Sequence, residues 1–120
     1  MDEFKPATVK PSISIADVEK LDVRIGTIVG VEDVPKSSKL LRLTVDFGDH
    51  RRMILAGMKA ERANSQEIVG VQTLFVVNLE PKPMAGEVSQ GMLFDVGFVD
   101  GVAPVLAVPE RAVPNGVRAG

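Results

Sequence analysis

The chain has 120 residues, of which 45% are hydrophobic and 25% are charged, and this composition fits one soluble globular domain with a buried core. It has no cysteine and one histidine, which excludes disulfides, thiolate metal sites, a cysteine nucleophile and a histidine-rich zinc site. The net charge of −2 is unevenly distributed, because residues 35–62 carry seven bases and three acids whereas residues 1–34 and 63–120 each carry a net charge of −3. Such a basic cluster is expected of a nucleic-acid-binding surface, and equally of a solvated surface with chance asymmetry.

The N-terminal end predicts a flexible arm over residues 1–13, because Pro6 and Pro11 interrupt any regular pattern. This arm lacks the apolar segment of a secretory signal, and no later segment is apolar for long enough to span a membrane. We therefore expect a cytoplasmic protein without a membrane segment. The next residues, Ser14-Ile15-Ala16-Asp17, match a capping box and predict a short helix that continues over residues 17–21.

The first strand is predicted from the β-branched stretch Val23–Val31, whose odd-numbered positions are nearly all apolar. Gly26 and Gly30 lie on the opposite face of this strand. Glycine weakens a strand unless the chain must bend sharply or approach another backbone closely. The two glycines therefore predict a strand that coils to close a small barrel.

A hairpin is predicted next, because residues 41–47 alternate between apolar and polar, Gly48-Asp49-His50 forms a tight connection, and residues 51–57 return as a third strand. The polar segment 59–68 predicts a loop with a short helix. Residues 71–79 are apolar on both faces, so we expect a strand that is central in the sheet or covered by another part of the molecule.

Two further strands are predicted over residues 92–99 and 102–108, separated by Asp100-Gly101. They are preceded by a fifteen-residue connection, residues 78–92, which contains two prolines and two glycines. Two neighbouring strands need only a two-residue turn, so a connection of this length predicts a functional role. An Asn115-Gly116 turn marks a C-terminal extension.

This order of elements predicts an all-β fold, namely a five-stranded OB-fold barrel with a short helix, an N-terminal arm and a C-terminal extension. The barrel and its extension form one predicted domain over residues 14–120. A β-sandwich is the alternative, but about six strands and one early hairpin are few for that architecture.

No catalytic constellation is recognisable in the sequence. Residues 87–91 (Glu-Val-Ser-Gln-Gly) are similar to the nucleophile elbow, but Glu87 occupies the position that requires the first glycine. The single histidine, His50, lies in a predicted turn, and neither a P-loop nor a dinucleotide fingerprint occurs. We therefore predict a binding module rather than an enzyme, with no catalytic residue, no metal ligand and no cofactor.

Five segments in one register resemble a single family, the tRNA-binding OB domains. These segments are Lys20–Val29, Val34–Leu40, Ala56–Met58, Asn78–Met92 and Val113–Gly116. The family includes free-standing tRNA-binding proteins, the C-terminal domain of bacterial methionyl-tRNA synthetase, and the secretion chaperone CsaA. The resemblance extends over residues 15–118, so it is more specific than any one motif.

The resemblance implies a homodimer that binds the outer corner of folded tRNA by its shape and phosphates rather than by its sequence. RNA duplexes hide their base edges in a deep groove, which agrees with this mode of recognition. Asn78 and Ser89 can hydrogen-bond a sugar or an unpaired base, and Met92, together with Met84, can lie against a base or ribose. The candidate phosphate contacts are Lys36, Lys39, Arg42 and Lys82.

Several of these residues have a structural alternative. Asn78 can instead cap the backbone of the loop, and Met92 can belong to the core or to a dimer interface. Pro81, Gly86 and Gly91 are expected to shape the loop rather than to contact a ligand.

The sequence also departs from the family pattern. Many tRNA-binding members carry a loop of the type P-K-K-L-R-G, whereas residues 81–86 read P-K-P-M-A-G, so Pro83 and Ala85 stand where two bases are expected. Fewer bases weaken phosphate binding, and this favours a second hypothesis, a CsaA-like chaperone for unfolded preproteins. Its apolar surface would draw on Met58, Met84, Phe94 and Phe98. A third hypothesis is a purely structural module that dimerises an aminoacyl-tRNA synthetase, which would then be its partner.

Overall fold

A computed structural model describes residues 4–120, in which most of the regular structure is β-strand. Within this range, one α-helix, α1 (Ile15–Glu19), precedes the strands, and three single-turn 3-10 helices lie at Lys59–Glu61, Ser65–Ile68 and Phe98–Asp100. The strands are β1 (Val23–Asp33), β2 (Leu41–Asp46), β3 (Arg51–Ala56), β4 (Gln72–Val76), β5 (Lys82–Met84), β6 (Glu87–Ser89), β7 (Met92–Leu93), β8 (Asp95–Val96), β9 (Val105–Leu106) and β10 (Arg118–Ala119).

Helix α1 begins at the predicted capping box. The Ser14 hydroxyl accepts a hydrogen bond from the Asp17 N–H, and the Asp17 carboxylate accepts one from the Ser14 N–H, both at 3.3 Å. Residues 4–13 form neither helix nor strand, and every one of them is exposed. Residues 1–3 of the predicted arm lie outside the described residues, so the flexibility of the arm and its boundary with the domain stay predictions.

Strand β1 is the centre of the sheet, because it pairs with β2, β4 and β10. A bulge between Ile28 and Gly30 shifts its register, and such a bulge bends a strand and increases its twist. Gly26 and Ile28 are buried before the bulge, Val31 is buried after it, and Val29 is only half-buried. The buried positions therefore do not follow the odd-numbered ones along the whole strand, whereas the predicted coiling agrees with the bulge.

The predicted hairpin of β2 and β3 is confirmed. Its register runs from Leu41 opposite Ala56 to Asp46 opposite Arg51. The alternating apolar positions of β2 are all buried, and Phe47 continues the same buried face. The following polar segment, predicted as a loop with a short helix, forms two 3-10 turns, and Ile68 at the end of the second turn joins the core.

Strand β4 is covered on both faces within the chain. It pairs with β1 on one edge and with β7 on the other. Thr73 is fully buried because the C-terminal extension lies over it, and its hydroxyl donates a hydrogen bond of 2.8 Å to the Ala107 carbonyl. The extension therefore covers part of this strand, whereas Leu74 stays half-buried.

The two strands predicted over residues 92–108 are shorter than expected. The first is divided into β7 and β8, and the second is reduced to β9, which pairs with β8. The break between β7 and β8 falls at Phe94. Strand β8 then ends at Gly97, whose φ of 104° is incompatible with a strand and which caps the 3-10 turn that follows. The remaining chain reaches β10, which pairs with the start of β1.

Five strands of the six-stranded sheet, in the order β3-β2-β1-β4-β7, curl so that the edge strands β3 and β7 approach each other, while β10 pairs with β1. Gln90, just before β7, joins these edges, because its N–H donates to the Met53 carbonyl and its side-chain oxygen accepts from the Met53 N–H, both at 2.9 Å. The predicted OB-fold barrel is therefore confirmed. Across residues 4–120 there is no helix that is both long enough and apolar enough to cross a membrane.

Candidate nucleic-acid interface

The connection over residues 78–92 contains a β-hairpin that the sequence did not predict. Strands β5 and β6 are joined by the two residues Ala85 and Gly86, whose φ angles are 50° and 81°. Positive φ at both positions is the geometry of the turns that match the twist of a hairpin. Pro83 is tolerated in β5 because β5 pairs only with β6 in the described part of the chain.

One end of the hairpin is fastened to β3 by Ser89. Its hydroxyl accepts a hydrogen bond from the Leu55 N–H and donates one to the Gly91 carbonyl, each at 3.0 Å. Ser89 is only 4% exposed, so its hydroxyl is used inside the protein. The structure therefore gives Ser89 a role in holding the hairpin against the barrel.

The other end of the hairpin is fastened to β2 by an ion pair. Arg42 Nε and Nη2 bind the two carboxylate oxygens of Glu87 at 2.6 and 2.5 Å, a bidentate arrangement. The Arg42 hydrogen bonds hold the pKa of Glu87 below its usual range. A third group, Glu32, lies 3.6 Å from Arg42 Nη1. Arg42 is therefore already partnered by two acids.

A cleft of about 560 Å³ lies between the hairpin and the barrel. Its lining residues are Leu55, Leu79, Glu80, Lys82, Met84, Ser89, Gly91 and Met92. Apolar side chains form most of this wall, and Met92 is 44% exposed there. A site that combines a flexible thioether with a lysine can accept a flat apolar group next to a negative charge.

Three candidate lysines remain exposed, and in the described residues none of them forms an ion pair. Lys82 lines the cleft, while Lys36 lies beside the hairpin turn, with its Nζ 3.7 Å from where a Cβ on Gly86 would stand. Lys39 lies in the loop before β2 and is not part of the cleft lining. The structure thus places Lys36 next to the turn of the hairpin and Lys82 near its base.

Asn78 does not line the cleft. Its Oδ1 accepts a hydrogen bond from the Asp22 N–H at 2.8 Å, and its Nδ2 donates one to the Lys20 carbonyl at 2.7 Å. Both ends of the amide are therefore occupied in tying the start of the loop to the segment between α1 and β1. This role is structural, as in the alternative that the sequence left open, but the amide binds the backbone of residues 20–22 rather than the backbone of its own loop.

The basic cluster at residues 35–62 does not form one open patch. Besides Arg42, Lys59 lies 3.6 Å from Asp33, and Arg62 lies 3.0 Å from Glu67. Arg52 donates hydrogen bonds to the carbonyls of Val77 and Gln90. Charge counts along the sequence could not separate these partnered bases from the exposed lysines, because partners such as Glu87 and Asp33 come from distant parts of the chain.

A titratable group that the sequence did not reveal lies away from the cleft. The Glu61 side chain is 7% exposed, and neither of its oxygens has a hydrogen-bond partner, as is also true of Asp95 Oδ1. Burial raises the pKa of Glu61 to about 7, and the neighbouring Asp95 carboxyl adds to this shift. Such a pair is satisfied when one carboxyl keeps its proton and donates it to the other.

Within residues 4–120, no group of three or more histidine, aspartate or glutamate side chains is arranged so that it could bind a metal ion.

Known proteins match almost the whole length of the chain. A family model described as "Putative tRNA binding domain" matches residues 23–118. Methionine–tRNA ligase of Xylella fastidiosa strain 9a5c is 39% identical over 112 residues, which cover 92% of this chain and 16% of the ligase. The ligase of Methanocorpusculum labreanum is 44% identical over 106 residues, which cover 88% of this chain and 15% of the ligase. The chain thus spans about a sixth of the length of these relatives.

Two solved structures have the same fold along their whole length. A protein related to methionyl-tRNA synthetase from Pyrococcus horikoshii superimposes with a TM-score of 0.84 and 30% identity, covering 92% of this chain and 100% of that one. The chaperone CsaA from Bacillus anthracis strain Ames gives a TM-score of 0.79 and 31% identity, with the same coverage.

Proposed function

The chain belongs to the family of tRNA-binding domains, and from that premise we propose that it is a non-catalytic protein that binds the outer corner of folded tRNA by shape and phosphate contacts. The observation that carries the proposal is the cleft beside the hairpin, where apolar walls and Lys82 meet. Folded RNA offers phosphates and unpaired bases at its corners, and both groups fit such a site.

The roles of the candidate residues follow from their surroundings. Lys36, Lys39 and Lys82 contact phosphates, because their ammonium groups are exposed and are free of ion pairs in the part of the chain that the structure describes. Met84 and Met92 lie against a base or ribose in the cleft. Asn78 and Ser89 act indirectly, by holding the loop in place.

The proposal includes a homodimer. The segment from β8 to residue 108 exposes apolar side chains that include Val96, Phe98 and Val105, which are 49%, 62% and 55% exposed. An exposed apolar surface of this kind is typical of a protein–protein interface. Light scattering should report a molar mass twice that of the chain, and Phe98→Asp should reduce it to the mass of a single chain. A monomeric wild-type protein would exclude the dimer.

A cytoplasmic location and an aminoacyl-tRNA synthetase as a further partner belong to the same proposal.

The test is binding of labelled total tRNA across a salt series. Each phosphate contact releases counterions, so the logarithm of the association constant should fall linearly with the logarithm of salt concentration. Binding should be weaker in each of the variants Lys36→Ala, Lys39→Ala and Lys82→Ala. The magnitude of the salt slope should fall by about one in each variant, as expected for the loss of one phosphate contact.

Arg111→Ala is the matched control, because Arg111 is 80% exposed, pairs with Glu110 and lies away from the hairpin. It removes one positive charge and should leave the salt slope unchanged. If the wild-type slope is flat, or if all four variants behave alike, the phosphate contacts are refuted.

A second candidate function is binding of unfolded preprotein segments, in the manner of a chaperone. The mainly apolar wall of the cleft favours it, because a protruding apolar side chain would fit there. Met58, one of the residues expected to supply this surface, is 2% exposed and belongs to the core, so its predicted contribution is wrong.

A labelled, permanently unfolded polypeptide, reduced and alkylated, separates the two functions. Chaperone binding should be insensitive to salt and to Lys82→Ala but should be lost in Met84→Ser. Binding of tRNA has the opposite dependence on salt and on Lys82.

A further inference from the structure

The hairpin of β5 and β6 depends on few contacts for its position. Strand β5 pairs only with β6 within the described chain, and the two form a separate two-stranded sheet. At the base of the hairpin, Ser89 bonds to the backbone of β3. Near the turn, the fastening contact is the ion pair between Glu87 on β6 and Arg42 on β2.

This ion pair has the properties of a rigid link. The Arg42 and Glu87 side chains are only 20% and 23% exposed, so the pair is screened less than a surface pair. Its two parallel hydrogen bonds fix an orientation as well as a distance. Glu87 is the cross-strand partner of Met84 in the hairpin, and Met84 lines the cleft. The ion pair is therefore directly adjacent to a residue of the cleft wall.

We propose that Arg42 is a positioning residue, which holds the hairpin through Glu87 so that Lys82, Met84 and Lys36 face the RNA together. The proposal rests on the proposed function, and it assigns to Arg42 a role other than phosphate contact. A guanidinium that already binds both oxygens of a carboxylate has fewer donors left for a phosphate.

Glu87→Gln distinguishes the two roles, because they predict opposite changes. If Arg42 contacted phosphate, removal of its acidic partner would free it, so tRNA would bind more tightly and with a steeper salt slope. If Arg42 positions the hairpin, the same change should weaken tRNA binding about three- to tenfold with little change in slope, as expected for loss of a partly buried pair. Glu19→Gln is the control for loss of one negative charge, since Glu19 is exposed on α1.

Substitutions of Arg42 allow a double-mutant cycle with Glu87 for tRNA binding. Arg42→Gln combined with Glu87→Gln should bind tRNA no more weakly than either single variant, because both remove the same link. Arg42→Lys keeps the charge but cannot form the bidentate pair, so it should behave like Arg42→Gln. If Arg42→Lys instead binds like the wild type, the positioning role is overturned.

Hydrogen exchange of the β6 amides, measured without RNA, reports how firmly the hairpin is held against the barrel. Faster exchange in Glu87→Gln than in Glu19→Gln supports the link, and equal exchange overturns it. If the wild-type protein binds no tRNA at any salt concentration, the proposed function and the role of Arg42 in RNA binding fall together, while exchange still decides the structural link. If the wild type binds and Glu87→Gln binds as tightly as Glu19→Gln, only the positioning role fails.

Discussion

Gly26 is a residue whose lack of a side chain is required by the packing of the barrel. A Cβ at this position would lie 2.6 Å from Val45 Cγ1 and 2.9 Å from Phe47 Cε1, and both of these side chains belong to the core. We expect Gly26→Ala to lower the free energy of unfolding by about 1–3 kcal/mol, the usual effect of overpacking. Urea denaturation measures this change.

Gly30→Ala is the control for that variant, because its Cβ would stand an ordinary 3.6 Å from Thr44 Cβ. It should change the stability by much less than Gly26→Ala. Equal losses in the two variants would contradict the packing argument, although the sequence alone treats both glycines as equivalent.

The buried Glu61 carboxyl makes stability depend on pH. Its pKa rises from an ordinary value of 4.5 to about 7, so between these pH values the folded chain holds a proton that the unfolded chain has released. The stabilisation is therefore complete below pH 4.5 and is lost as the pH rises through about 7. Urea midpoints at pH 5 and pH 8 should differ more for the wild type than for Glu61→Gln, whose amide donates to Asp95 at every pH.

Glu110→Gln is a suitable comparison, since Glu110 is 83% exposed and should leave the pH dependence as in the wild type. If Glu61→Gln keeps the wild-type difference between pH 5 and pH 8, then Glu61 is not the group responsible.

At the scale of elements, the hairpin in the connection shows where a local pattern is insufficient. The sequence marked residues 78–92 as functional because of their length, but the two short strands were not predicted. Their turn, Ala85-Gly86, lacks the asparagine or aspartate that usually precedes glycine in such turns, and β5 contains a proline. The strands form because Ser89 and Glu87 are bound by β3 and β2, which are distant in sequence.

The turn itself gives a prediction. Ala85 has a φ of 50°, a conformation that costs an alanine about 1 kcal/mol and that asparagine adopts more readily. Ala85→Asn should therefore slow hydrogen exchange in β6. Gly86→Ala, which forces an alanine to a φ of 81°, should accelerate it. The same direction of change in both variants would argue against this turn geometry.

At the scale of the whole molecule, the alternating strand β2 with its hairpin and the capping box were predictable because their stabilising contacts are local or repeat with a regular period. It was not predictable which basic residues are paired with an acid and which are exposed. Arg42 and Glu87 are 45 residues apart, and only the fold brings them together. The exposed Lys36 and Lys82 and the occupied Arg42 looked alike in the sequence, so the candidate site could be predicted as a region but not as a set of roles.

The C-terminal extension is held to the barrel by Asn115. Its Oδ1 accepts hydrogen bonds from the Thr27 hydroxyl at 2.8 Å and from Gln72 Nε2 at 2.9 Å. We expect Asn115→Ala to lower the free energy of unfolding by about 1–3 kcal/mol, because two half-buried donors lose an acceptor. Thermal unfolding measures the loss, and Asn64→Ala, which removes a single exposed cap, should have a smaller effect.

The pairing of β10 with β1 has a mechanical consequence. Val23 at the start of β1 lies opposite Ala119 near the last residue, so both ends of the chain leave this antiparallel pair from the same side. Tension applied between the ends would peel β10 away one hydrogen bond at a time rather than shear the strands in parallel. The next bonds to be loaded are those from Gly116 and Ile25, and the extension would detach at low force while the five-stranded barrel stayed closed.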